Sequence, residues 1–151
     1  AENADLLADY DLVIDGTDNF ATRYLINDTC VRLGLPEVWG SVLRFDAQVA
    51  VFWGRPPAGV PAVQLRDVFP EPPPPGQVPS CDQAGVLGAL CGQVGSLMAT
   101  EAIKLIIDPP ARNQGLFVVD VWDLFFQVLE VDRDPGCPCC GVPAEPAAPN
   151  A

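Results

Sequence analysis

The sequence predicts a mixed α/β domain, and three features carry that prediction. DLVID at 11–15 is a short apolar run followed at once by Gly16 and several helix-capping residues, the pattern of a buried parallel strand turning into a helix. Two pairs of neighbouring strand-like runs lie at 38–54 and 115–132, each close enough in sequence to close as a hairpin. Between them, 84–107 is an apolar, glycine-bearing stretch too long for a strand and of suitable length for a core helix.

Taken in order, Ala1 to Asp9 is short and polar. Strand 11–15 leads through Gly16 into a helix across FATRYLINDTCVRLG, with Thr17 or Asp18 as its cap, Gly34 as its stop and Pro36 just beyond. VWGSVL and AQVAVFWG then pair through the short RFDA connection. From Arg55 to Ser80 the chain is Pro-rich and expected to be mostly irregular. Its EPPPPG at 71–76 favours extended polyproline geometry, so this segment reads as a stiff crossover. The long helix is expected from Gly85 or Leu87 to Ile107, where Asp108-Pro-Pro ends it. Glycines 88, 92 and 95 inside it each cost about 1 kcal/mol relative to alanine, which suggests close approach of another backbone. GLFVVDVW and LFFQVLEVD make a second antiparallel pair around Asp123. The expected domain covers 1–140, and 141–151 reads as a disordered tail.

A chain of 151 residues is about one domain, and 49% hydrophobic with 19% charged residues is a globular composition. Eight basic against 20 acidic residues give a net charge of −12, which repels nucleic acid and anionic membranes. Gln93, Ser96, Thr100 and Glu101 argue that the long helix belongs to a protein core rather than a bilayer. No signal peptide is visible, so a cytoplasmic location with reduced thiols is expected for the six cysteines. Neither GxGxxG nor GxxxxGK[ST] occurs. A bound nucleotide would therefore need backbone N–H groups, a metal, or basic residues from elsewhere.

Three places could carry chemistry. Asp15, Thr17, Asp18 and Asn19 lie at the carboxyl end of the first strand, where open α/β sheets place their ligands. Such a cluster suits Mg²⁺ held together with nucleotide phosphates, and the same residues also suit an ordinary capped turn. Cys81 stands near the start of the long helix, where orphan N–H groups favour a thiolate nucleophile; an apolar filler thiol is the other reading. With no histidine in the chain, a Cys–His pair within it is excluded. Cys137 and Cys140 form a CxxC, half of a zinc site or a redox pair, while Cys30 and Cys91 fall within helices.

The sequence resembles the MoeB/ThiF-like, E1-type adenylyltransferases of molybdopterin and thiamine biosynthesis and related sulfur-transfer systems. The resemblance rests on DLVIDGTDNFATRYLINDTC at 11–30, GSVLRFDAQVAVF at 40–52, the 69–106 segment with its PPPP run, SC and GSLMATEAIK, and the closing CPCCG. It implies the C-terminal half of a Rossmann-like adenylation domain, a mixed sheet with a long Gly-rich helix packed centrally and a Pro-rich crossover. It implies ATP and Mg²⁺ as cofactors and a ubiquitin-like sulfur-carrier protein ending in Gly-Gly as partner. The carrier's C-terminal acyl-adenylate forms with release of pyrophosphate and then yields a thiocarboxylate, with a sulfurtransferase as a further partner and a homodimer as the complete enzyme. By the same resemblance Asp18 coordinates Mg²⁺, Asn19 is its neighbour, and Cys81 is the cysteine used for sulfur transfer or covalent linkage in some members.

Two departures from the family pattern stand out. Its GxGG nucleotide loop and phosphate-holding Arg and Lys residues precede the matched region and are not within these residues, so the chain reads as an incomplete, inactive piece of an enzyme. Many members also hold zinc with an earlier CxxC, whose positions fall here on Gln64 and Asp67. Cys137 and Cys140 then remain as a vestigial half-site, and zinc is not expected. Two competing readings are a non-catalytic protein that binds a ubiquitin-like carrier or a partner subunit, and a thiol redox module built on Cys137 and Cys140.

Overall fold

A computed structural model of the chain describes residues 3–139 apart from 113 and 138. The tail at 141–151 and Cys140 lie outside the described residues. Five strands form one sheet in chain order: β1 (Val13–Asp15), β2 (Glu37–Leu43), β3 (Asp46–Phe52), β4 (Gly115–Asp120) and β5 (Phe125–Glu130). Only β1 and β2 run parallel, in register Val13 with Glu37 and Asp15 with Trp39; the remaining pairs are antiparallel. The mixed α/β architecture and both hairpins expected from the sequence are present.

The helix α1 (Phe20–Leu33) is the crossover between the parallel strands. Its cap is Asn19, whose Oδ1 accepts the Thr22 N–H at 2.8 Å, in place of the expected Thr17 or Asp18. Asn19 is extended, which turns its side chain back onto the first helical turn. Gly34 ends the helix with φ 76°, a left-handed geometry that glycine adopts without a Cβ penalty.

The 55–80 segment is less irregular than its prolines suggest. A single turn, α2 (Leu65–Val68), forms there because Gln64 and Asp67 make a reciprocal capping box. A second short turn, α3 (Cys81–Ala84), is capped by Ser80 and Gln83. Gly85, with φ 77°, breaks the chain before α4 (Gly88–Ile107) begins, so Cys81 heads its own four-residue turn and does not sit at the long helix. A 3₁₀ turn at Ala4–Asp9 was not signalled by the polar N-terminal sequence.

Both faces of the sheet are packed over β1–β4, while β5 is exposed along its length. On one, Leu90, Val94, Met98, Ala102 and Leu105 of α4 form a stripe at helical spacing against Val38, Val49, Val51 and Val119. On the other, Tyr24 of α1 and Val63 and Leu65 of the crossing pack on Trp39, Ala50, Phe52 and Leu116. The helix α4 is long and apolar enough to cross a membrane, but this stripe is spent on the sheet. The close approach expected at its glycines is not there: a Cβ on Gly88, Gly92 or Gly95 would meet nothing within 4 Å. The close approach is made by Gly40 of β2, where a Cβ would collide with the Met98 side chain. The outer side of α4 leaves Leu97, Ile103, Ile106 and Ile107 exposed.

Candidate functional site

A cleft of about 780 Å³ opens at the carboxyl ends of β1 and β2. Its floor includes Trp39 and Ser41 of β2 and Gln48 of β3, and its roof is the Pro-rich crossing from Val68 to Cys81. Both ends of that roof are tied down. Tyr24 donates its hydroxyl to the Phe69 carbonyl at 2.9 Å, and Arg66 donates to the Pro70 carbonyl at 2.9 Å. At the far end, Arg44 donates N–H to the Gly85 carbonyl and Leu87 donates to the Arg44 carbonyl. Between these ties the roof folds back in a turn, Gln77 N–H to the Pro74 carbonyl at 3.1 Å, with Gly76 at φ 82°.

Of the residues expected from the sequence, Asp18, Asn19 and Cys81 line this one cleft although 62 residues separate Asn19 from Cys81. Asp18 is exposed and accepts no hydrogen bond among the described residues, which leaves both carboxylate oxygens open to a ligand. Cys81 donates its thiol to the Val42 carbonyl at 3.7 Å, a weak tether. Thr17 and Asp15 are set back from the cleft. Thr17 spans the turn, its N–H given to Asp15 Oδ1 at 2.8 Å and its carbonyl accepting from Arg23 Nε at 2.9 Å.

Asp15, expected from the sequence as a cofactor ligand, is set into the sheet. It is 1% exposed, on the inward side of β1, and faces Glu37 rather than the cleft. Glu37 is itself completely buried, and neither of its oxygens nor Asp15 Oδ2 meets a protein donor. Burial first, then the charge and hydrogen bond of Asp15, push the Glu37 carboxyl well above the carboxylate range. The fold thus favours the protonated form of Glu37, and Asp15 in turn holds the Thr17 end of the turn that presents Asp18. Nearby on α1, burial together with Glu37 and Asp15 pushes the Cys30 thiol up to about 12.

This buried acid makes stability pH-dependent. A raised carboxyl pKa means that the fold favours protonated Glu37, so its contribution is complete below the ordinary value of 4.5 and is lost as pH climbs through the folded-state pKa. Asp15 from β1 and Asp28 and Cys30 from α1 surround it and share the effect. Glu37→Gln keeps a donor without a titrating proton. The difference in melting temperature, wild type minus Glu37→Gln, is expected to fall as pH rises above 4.5; a flat difference would remove the raised Glu37 carboxyl.

Sequence reasoning missed Arg23 in the cleft and Glu37 behind it. Arg23 is the one cation among the described lining residues. Its guanidinium sits 5.5 Å from the Trp39 ring centroid and 5.8 Å from that of Phe20. Burial lowers its pKa, and Asp15, Cys81 and Asp18 oppose that shift, which places its charge between the carboxylate and thiol ends of the site. The available signal was an arginine in the first helical turn, where the helix dipole disfavours a cation. Glu37 was signalled only by its place in an otherwise apolar strand. Trp39 Nε1 is also buried without an acceptor at the cleft floor.

Cys137 is 4% exposed and lies far along the chain from these groups, against Gln64. Among the described residues no cluster of three or more His, Cys, Asp or Glu could hold a metal.

A parallel strand pair opening into a roofed cleft, with a carboxylate, an arginine and a thiol around it, is the architecture of an α/β domain of the open-sheet class. The sequence model of the ThiF family matches residues 1–139, and the chain belongs to that family. It is 48% identical over 158 residues to the probable adenylyltransferase/sulfurtransferase MoeZ of Mycobacterium tuberculosis (strain CDC 1551 / Oshkosh), covering 97% of this chain and 40% of that protein. It is 49% identical over 143 residues to the sulfur carrier protein adenylyltransferase of Thermus thermophilus, covering 93% of this chain and 53% of that one. The chain thus spans between two-fifths and about half of these curated relatives. The fold matches E. coli MccB, solved with ATP, at TM-score 0.68 and 14% identity over 93% of this chain and 43% of that chain.

Proposed function

We propose that this chain supplies the metal-facing and thiol-bearing part of an enzyme that adenylates the C-terminal glycine of a ubiquitin-like sulfur-carrier protein with Mg²⁺ and ATP. The observation that carries this reading is the convergence of Asp18, Arg23 and Cys81 on one roofed cleft. In the reaction a carrier carboxylate oxygen attacks the α-phosphorus, the bond to the β-phosphate oxygen breaks, and pyrophosphate leaves.

Asp18 fits the metal role, because Mg²⁺ takes one or two carboxylates beside substrate phosphates and keeps several waters. When bound, the metal neutralises phosphate charge. Arg23, desolvated on Trp39 and Phe20, holds positive charge where an anion would lie. The apolar roof excludes water from an acyl-adenylate that water would destroy. Cys81 is the thiol for the sulfur-transfer step, supplied by a sulfurtransferase partner. The complete enzyme is read as a cytoplasmic homodimer, for which the exposed Ile103, Ile106 and Ile107 of α4 offer apolar surface.

One observation favours a second reading, a non-catalytic carrier-binding protein: Arg23 is the lone cation among the described cleft residues. Pyrophosphate exchange into ATP separates the two. Residues 1–151 alone are expected to show no carrier-dependent exchange, lacking a Gly-rich phosphate loop, whereas the full-length protein with that loop restored exchanges. Full-length protein that binds carrier without exchange would establish the second reading.

A further inference from the structure

The segment before the crossover and the loop at 134–137 are joined by a buried hydrogen-bond network. Gln64, fully buried, caps α2. Its Oε1 accepts from Asn27 Nδ2 at 2.7 Å and from the Arg66 N–H at 3.0 Å. Two donors on that oxygen, one of them backbone, determine which end of the amide is which. The other end, Nε2, donates to Cys137 Sγ at 2.7 Å. Asn27, also fully buried, accepts the Leu65 N–H on its Oδ1 at 2.9 Å.

Three residues further on, Asp67 works in parallel. Its Oδ2 accepts the Gln64 N–H at 2.8 Å and its Oδ1 accepts the Asp134 N–H at 3.0 Å. The 134–137 loop is closed on itself by Cys137 N–H to the Asp134 carbonyl and by Gly136 N–H to Asp134 Oδ1. Each of the two side chains thus grips one end of that loop.

These residues do not fit zinc. A structural zinc needs four ligands with free lone pairs in a tetrahedron. Among the described residues no three Cys, His, Asp or Glu side chains converge on one point; the Gln64 oxygen is doubly occupied, and each oxygen of Asp67 already accepts a backbone N–H. Cys139 is turned towards Asp28, and burial followed by Asp28 pushes its thiol up to about 11. Asp28 is engaged in turn by Arg66 through two hydrogen bonds of 2.8 Å.

We propose that Asn27, Gln64 and Cys137, bracketed by Asp67, form a metal-free clasp that joins the C-terminal loop to α2 and so sets the cleft wall built from Leu65 and Val68. Hydrogen-bonded groups do here what a bound cation does elsewhere, fastening two distant chain segments at one point. The clasp is fully desolvated at Gln64 and nearly so at Cys137, so removing the sulfur leaves a buried amide N–H with no acceptor. The proposal does not depend on the adenylation reading, since it concerns only what holds the wall.

The test compares wild type, Cys137→Ser and Cys137→Val in the full-length protein. Serine keeps an acceptor for Gln64 Nε2; valine fills the space without one. Cys137→Val is expected to melt about 5 °C lower and Cys137→Ser close to wild type. Hydrogen exchange gives the local readout: the amides of Leu65 and Arg66 exchange at least about tenfold faster in the valine variant, while those of α4 do not. Wild type purified from zinc-supplemented medium is expected to hold substoichiometric zinc and to melt unchanged in chelator. One tightly held zinc per wild-type chain would overturn the proposal. So would a valine variant equal to the serine variant, or exchange that rises equally in α4.

Discussion

Asp18→Ala in the complete enzyme is expected to lower carrier-dependent pyrophosphate exchange by about 10³-fold while leaving the fold intact. The two parts of that expectation have separate causes. Asp18 is exposed and makes no hydrogen bond among the described residues, so its loss creates no cavity and no orphaned partner. Its charge is set at the mouth of the cleft beside Arg23, where a metal-bound polyphosphate would develop negative charge during transfer. Removing one preorganised electrostatic contact at such a point is worth about two to three orders of magnitude. Exchange assays paired with thermal melts separate the effects. Unchanged exchange would move the metal to another residue, and a collapsed melting curve would show that the turn, not the charge, was the casualty. Asp15→Asn makes the contrast, because Asp15 is buried against Glu37 and fixes Thr17.

Cys81→Ala is expected to reduce thiocarboxylate formation on the carrier by more than about 10³-fold and to leave exchange within about threefold of wild type. Adenylation uses a carrier carboxylate, phosphates and a metal; no protein thiol enters its balance. Sulfur transfer does require a nucleophilic sulfur, and Cys81 is partly exposed in the same cleft as Asp18, tethered only by a 3.7 Å contact to Val42. Mass analysis of the carrier after single turnover reads the second step, and exchange reads the first. Equal loss of both steps, in a variant with the wild-type melting temperature, would make Cys81 part of the adenylation machinery.

The order of elements was legible because each has a local cause. The 11–15 run, Gly34, the paired alternating segments and the Pro-Pro stop at 109–110 act within a few residues of where they sit. Local signals also misled where three caps competed. Thr17, Asp18 and Asn19 are all good capping residues, and what decided for Asn19 was that Asp15 and Arg23 had already engaged the Thr17 backbone. The short turn α2 was hidden because its capping pair, Gln64 and Asp67, sits in a proline-rich context that reads as irregular.

What the sequence by itself determined, then, was the α/β class, the strand and helix order, membership of the ThiF family through its motifs, and the candidacy of Asp18, Asn19 and Cys81. Tertiary structure alone decided which of the candidates share a cavity. Asp15 lies three residues from Asp18 yet points into the sheet, since strand side chains alternate and β2 delivers Glu37 against it. Arg23 became part of the site because α1 lays it over Trp39, a residue of another strand. Gln64 and Cys137, 73 positions apart, meet because the crossing and the C-terminal loop return to the same face of the sheet. Periodicity and capping reach only across a turn or two of chain; contacts between distant segments arise when apolar faces pack, and that is where the acid pair, the arginine and the clasp were decided.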